Sequence, residues 1–237
     1  MMIARIGMML ILGAVSAIGP VSGAAAQYLT DHDFQDWQTA QLIFEEEEGP
    51  LAEALQAATK SPYTHVGIVR ITGGGPVVLD TKPALWENFV EEFIANGVGG
   101  HYAVYEVRGL SGDAIFTPAR MANDYLNAPD DPYLRPGGPE LSGAELVQLV
   151  YRSVGYELGR SVRFEDLDIE RPEFRRWFET VWRDHPDCTA RSLDRKACRA
   201  LVGRQMVLTP ASIAADPKVI CVWSNFAADK GRCPGPR

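Results

Sequence analysis

A histidine stands at the head of one apolar run, Thr64-His65-Val66-Gly67-Ile68-Val69, and an aspartate closes the next, Pro76-Val77-Val78-Leu79-Asp80. Gly73, Gly74 and Gly75 lie between them, so the two runs read as the strands of a β-hairpin. Folded about Thr72 and Gly73, this hairpin sets His65 directly opposite Asp80, with Cβ atoms about 4.5–5.5 Å apart. A carboxylate beside an imidazole fixes its tautomer and stabilises the imidazolium, which is what a general base in acyl transfer requires. The same two residues also read as an ordinary cross-strand ion pair, and a one-residue bulge at the glycines would carry Asp80 to the other face.

A second stretch bears on the same chemistry. Ser142-Gly143-Ala144-Glu145 precedes apolar residues at helical spacing, Leu146, Leu149, Val150 and Val154. This is a capping box, with Ser142 as the cap and Glu145 at the third helical position. A helix N-terminus lowers the pKa of a thiol placed there and offers backbone N–H groups to an oxyanion.

The stretch around His65 resembles the histidine motif of the YiiX/YebB-like proteins, circularly permuted relatives of the papain-like and NlpC-type cysteine hydrolases. The likeness runs from Gln41-Leu42-Ile43-Phe44 to about Trp223. In that family the histidine comes first, an acidic partner follows on the next strand, and the nucleophilic cysteine opens a later helix. His65 and Asp80 match the first two. The family's helix begins Cys-Ser-Glu-Leu-Val or a close variant, and the matching residues here are Gly143-Ala144-Glu145-Leu146-Val147, followed by Tyr151. Spacing back to Tyr125 needs no gap, so Gly143 stands at the nucleophile position.

The resemblance implies an α+β, circularly permuted papain-like (NlpC-type) fold with an antiparallel sheet packed against helices. It implies no cofactor or metal, and a substrate cleft bordered by Tyr63, Tyr133 and Glu145. Glycine has no side chain with which to attack a carbonyl, so the resemblance points to an exported member of an amide and ester hydrolase family that has lost turnover. Such a protein binds a cell-wall peptide or a lipid-like ligand without cleaving it, and the site then lacks a single sulfur atom. The alternative is an active hydrolase that uses Ser142 with His65 and Asp80, although capping alone accounts for that serine.

Residues 1–26 carry Arg5, an uncharged apolar run and the small residues Ala24-Ala25-Ala26, the pattern of a secretory signal peptide. The remaining chain, 27–237, is of a length that one well-packed domain needs. A net charge of −8 argues against a nucleic-acid partner. Cys188, Cys198, Cys221 and Cys233 all fall in the last quarter, and an even number in an exported chain reads as disulfides. Pairing Cys188 with Cys198 and Cys221 with Cys233 is the simplest of three connectivities. No C-x-x-C spacing supports zinc.

The elements that must hold these residues follow from periodicity. Gln41 to Phe44 reads as a strand, and the acidic run Glu45 to Glu48 suits a solvated helix start before an amphipathic helix over 51–59. A helix is expected from Leu85 to Ala95, with Trp86, Phe89, Val90, Phe93 and Ile94 on its apolar face. His101 to Val107 reads as a strand, and Thr117 as the cap of a helix reaching Leu126. The proline-rich loop from Pro129 to Pro139 brings Tyr133 and Leu134 to the cleft. Phe174, Trp177, Phe178, Val181 and Trp182 mark a further helix, and Val219 to Trp223 a last strand. Arg191, Arg195, Lys196, Arg199 and Arg204 form a basic face that fits solvent, an anionic envelope surface or an envelope protein.

Overall fold

The computed structural model describes residues 34–235. The segment read as a signal peptide, 1–26, and the Asp31-His32-Asp33 stretch lie outside them. In chain order the elements are β1 (Leu42–Glu45), α1 (Pro50–Thr59), β2 (His65–Thr72), β3 (Gly75–Asp80), β4 (Trp86–Phe89), α2 (Val90–Asn96) and β5 (Tyr102–Val107). They continue with α3 (Thr117–Ala122), α4 (Gly143–Arg152), β6 (Val162–Arg163), α5 (Pro172–Val181), α6 (Pro186–Thr189), α7 (Arg195–Arg204), β7 (Met206–Val207), α8 (Pro210–Ala214) and β8 (Val219–Ser224).

The architecture is α+β. Six antiparallel strands lie in the order β4-β3-β2-β1-β5-β8, with β6 and β7 making a separate short pair. β1 is central and its four residues are all buried, which suits the near-continuous apolar run Leu42-Ile43-Phe44. Side chains alternate across the sheet and feed two cores. Leu42, Phe44, Val66, Ile68 and Leu79 meet Leu146, Val147, Val150 and Tyr151 of α4. Ile43, Val69, Val78, Val104 and Trp223 meet Val90 and Phe93 of α2. The Tyr151 hydroxyl is buried and donates to the Ala40 carbonyl at 2.6 Å, so α4 is tied to the chain just ahead of β1. A third core joins α1 to α5 and α7 through Leu55, Phe174, Trp177, Phe178 and Val202.

The hairpin carries the first correction. Thr72 pairs with Gly75, so the turn is the two-residue Gly73-Gly74 and Gly75 adopts a positive φ of 116°. The register is therefore two positions away from a hairpin folded about Thr72 and Gly73. A shift of two keeps each side chain on its face, so Asp80 still shares the face of His65 but sits diagonally from it. The residue directly opposite His65 is Glu45 of β1.

The segment read as one helix from Leu85 to Ala95 is instead the edge strand β4 followed by the short helix α2. Trp86 and Phe89 are exposed on that strand while Val90 and Phe93 are buried. Helical spacing in the sequence joined two faces that the chain separates. Thr117 does not cap α3 but forms its first turn, and its hydroxyl accepts from Arg120 at 3.1 Å. Ser142 and Thr209 do cap their helices.

Both disulfides join the sequence neighbours, Cys188 to Cys198 and Cys221 to Cys233, and no free cysteine remains among the described residues. That rules out a thiolate zinc site there and fits an oxidising compartment. No helix of the described residues is long and apolar enough to cross a membrane. Closing loops of this length contributes roughly 2–3 kcal/mol each in the chain-entropy model. Reduction should therefore lower the melting temperature by roughly 4–12 °C per bond for a chain of this size. Calorimetry with and without reductant is the check, and an unchanged transition would count against the contribution.

Candidate functional site

His65 is the first residue of β2 and is fixed before any ligand arrives. Its Nε2–H donates to Asp80 Oδ1 at 2.7 Å, and its ring stacks on Phe93 of α2 with centroids 5.7 Å apart. Asp80 is an acceptor with several donors: the Lys82 backbone N–H reaches Oδ1 at 3.1 Å and the Asn88 amide reaches Oδ2 at 3.1 Å. With Nε2 occupied, Nδ1 is left facing the other side of the ring.

That side holds two carboxylates from the acidic run. Glu47 Oε1 lies 3.9 Å from His65 Nδ1, and Glu47 also pairs with the Lys82 ammonium at 2.6 Å. Glu45, 3% exposed, makes no side-chain hydrogen bond among the described residues, and its Oε2 is fully buried. The backbone pins both: Thr64 N–H donates to the Glu45 carbonyl at 3.0 Å, and the Glu47 N–H donates to the Thr64 hydroxyl at 2.7 Å. Glu45, Glu47 and His65 together bring three ligand atoms within 4.8 Å of one another, an arrangement among the described residues able to receive a metal ion.

Burial sets the protonation. Desolvation pushes the Glu45 carboxyl up to about 8 against the pull of His65. For His65, burial alone would lower the pKa, but Glu47, Asp80 and Glu45 outweigh it and raise it to about 9. Asp80 is held below its ordinary value because, although burial opposes it, the hydrogen bond and charge of His65 favour the carboxylate. At neutral pH the centre is therefore two ion pairs, His65 with Asp80 and Lys82 with Glu47, around a protonated Glu45.

Ser142 and Gly143 reach the same small space from the start of α4. The free volume at the centre is about 20 Å³, bounded by His65, Glu47, Lys82, Leu51, Leu55, Leu134, Ser142 and Gly143 among others. That is room for one water or one ion. A peptide or an acyl chain enters only if Leu51, Leu55 or Leu134 moves aside.

Gly143 is closed off sterically as well as chemically. A Cβ there would lie 3.2 Å from His65 Cε1, and it would overlap the Val66 carbonyl oxygen outright. The view that the site lacks only a sulfur atom is thus corrected: β2 backbone occupies the path a side chain would take. The Ser142 hydroxyl donates to Glu145 Oε2 at 3.0 Å and accepts from the Glu145 N–H at 3.3 Å. It makes no hydrogen bond to His65, so it is placed as a cap rather than as a nucleophile beside its base.

The remaining cleft residues lie elsewhere. The Tyr63 hydroxyl, buried, is bonded to Asp229 and Tyr105. The Tyr133 ring packs edge-on against His185 with centroids 5.2 Å apart, and its neighbour Leu134 lines the space instead. Glu145 turns back to Ser142. Glu45 and Glu47 were missed because four consecutive glutamates read as a solvated helix start, and Lys82 because its partner Glu47 is brought to it only by the fold. The signal was present in parity, since Glu45 follows Ile43 on one face of a buried strand.

The chain is 28% identical to the uncharacterized protein YiiX of Escherichia coli strain K12 over 138 residues, 57% of this chain and 68% of YiiX. Its fold is similar to the crystal structure described as metalloprotein YiiX from Escherichia coli O157:H7, with a TM-score of 0.70 and 22% identity over 81% of this chain and 99% of that one. No family model matches the chain.

Two predictions follow from this geometry. Gly143→Ala should gain up to about 1 kcal/mol in helix propensity, yet overpacking against the Val66 carbonyl costs about 1–3 kcal/mol; the net change in denaturant unfolding should be destabilising, and a stabilised variant would contradict the closure. For pH, Glu45 and His65 both hold protons more tightly when folded than when unfolded, so stability falls as pH rises. The Glu45 part is lost from its ordinary 4.5 to about 8. The His65 part is lost from its ordinary 6.5 to about 9. Melting temperature measured in chelator from pH 5 to 9 should decline steadily, and Glu45→Gln should remove the first part of the decline.

Proposed function

We propose that this is an exported relative of YiiX in the permuted papain-like, NlpC-type hydrolase lineage that no longer turns over substrate and uses its histidine centre to bind. The observation that carries this is the position of Gly143: the helix start faces an oriented His65–Asp80 pair, but it has neither a nucleophile nor the space for one. A histidine–aspartate pair without a nucleophile in reach has no acyl transfer to perform. The tightly held imidazole and the buried carboxylates beside it still offer a site for a small ligand. The description of the solved YiiX as a metalloprotein agrees with such a centre. Disulfides and the apolar N-terminal segment support export, and the larger partners in this reading are a cell-wall peptide, a lipid-like molecule or an envelope protein.

The active-hydrolase alternative requires Ser142 to give its proton to His65, whereas that proton is directed to Glu145. Fluorophosphonate and acyl-thioester probes discriminate the two readings. The native protein should remain unlabelled, and Ser142→Ala should cost about 1 kcal/mol of stability as a lost cap. Labelling of the native protein that disappears in a folded Ser142→Ala variant would establish Ser142 as the nucleophile and overturn the binding reading.

A further inference from the structure

We infer that Glu45, Glu47 and His65 form a site for one divalent first-row transition-metal cation, with Asp80 holding the imidazole from behind. The inference rests on reading the centre as a binding site, and it names the class of ligand.

The donor set comes from geometry. His65 presents Nδ1 to the two glutamates because Nε2 is committed to Asp80 at 2.7 Å, and a carboxylate on the far ring nitrogen is the usual outer partner of a metal-bound histidine. Binding releases the Nδ1 and Glu45 protons to solvent, the cation taking over the positive charge. Donors on one ion at about 2.1 Å stand roughly 3–4 Å apart. Here they already lie within 4.8 Å, a difference that rotation of a carboxylate covers.

The independent observation is Glu45. It is 3% exposed, and its Oε2 has no hydrogen-bond partner among the described residues. A buried carboxyl without a partner costs several kcal/mol in an apolar setting unless something completes it. The space that His65 and Glu47 line on the side of α4, about 20 Å³, has room for a water that would complete the coordination of such an ion and none for an organic ligand.

Lys82 bears on the affinity. Its ammonium sits 2.6 Å from Glu47 and already supplies one positive charge. The lysine side chain is 38% exposed, so it can turn to solvent when an ion takes its place. One imidazole with two carboxylates suits Zn²⁺ or Mn²⁺, and the absence of thiolate donors disfavours Cu(I).

The test uses the oxidised protein, stripped with chelator and dialysed. Calorimetric titration with Zn²⁺, and titration with Mn²⁺ followed by electron paramagnetic resonance, should each give one ion per chain. Glu45→Gln keeps the shape and should weaken binding at least tenfold, and Asp80→Asn should weaken it about 10–100-fold. Circular dichroism confirms that each variant is folded; where one is not, Glu47→Gln takes its place with the same expectation of at least tenfold weaker binding. No stoichiometric uptake by the native protein, or equal affinity in the folded variants, overturns the site. Failure of the binding reading looks different: acyl-probe labelling at Ser142 would remove that reading whatever the ion titration gives.

Discussion

The structure depends on one constraint: an ion pair has been taken out of water where two neighbouring strands of the sheet begin and end. His65 and Asp80 are 4% and 3% exposed. Charges so buried lose their hydration, and they recover it only when hydrogen bonds surround both partners. Asp80 meets this requirement with donors from His65, the Lys82 backbone and Asn88. Each donor belongs to a different strand or turn, so the pair dictates the pairing of β3 with β4 and the course of the chain after Asp80. The β1–β2 register in turn sets Glu45 opposite the histidine.

This explains which parts of the site could be read from the sequence. The His65–Asp80 relation survived an error of two in register because sheet faces repeat every two residues. The Ser142–Glu145 capping box was also legible, being a local hydrogen-bond pattern with a fixed spacing. Glu45 and Lys82 were not, because their roles depend on which strands are neighbours. A strand's partner is a tertiary fact: Leu42 to Glu45 is flanked by β2 on one side and β5 on the other, and nothing within those four residues encodes it.

Among the elements, the strands of the central sheet and the amphipathic helices α4 and α5 were legible in their apolar periods. The misreading at Leu85 to Ala95 has a clear physical cause. Trp86 and Phe89 lie on the exposed edge strand, where large apolar groups carry no core period, and they happen to fall in step with Val90 and Phe93. The disulfide pairs were legible from sequence proximity. The basic residues after Cys188 resolve partly into surface ion pairs, with Arg195 meeting Glu179 and Arg199 meeting Glu170 at 2.9 Å, which contribute little to stability individually.

The closeness of Gly143 to β2 also limits which sequences this fold accepts. A Cβ at that position meets the Val66 carbonyl before it meets anything in the centre. Helix start and strand are packed backbone against backbone, so any larger residue must first push the two elements apart. The cost of that movement falls on the packing of α4 against the sheet, whatever chemistry the new side chain brings. The contact works as a filter: it couples the identity of one residue at the rim of the centre to the spacing of two elements of the core.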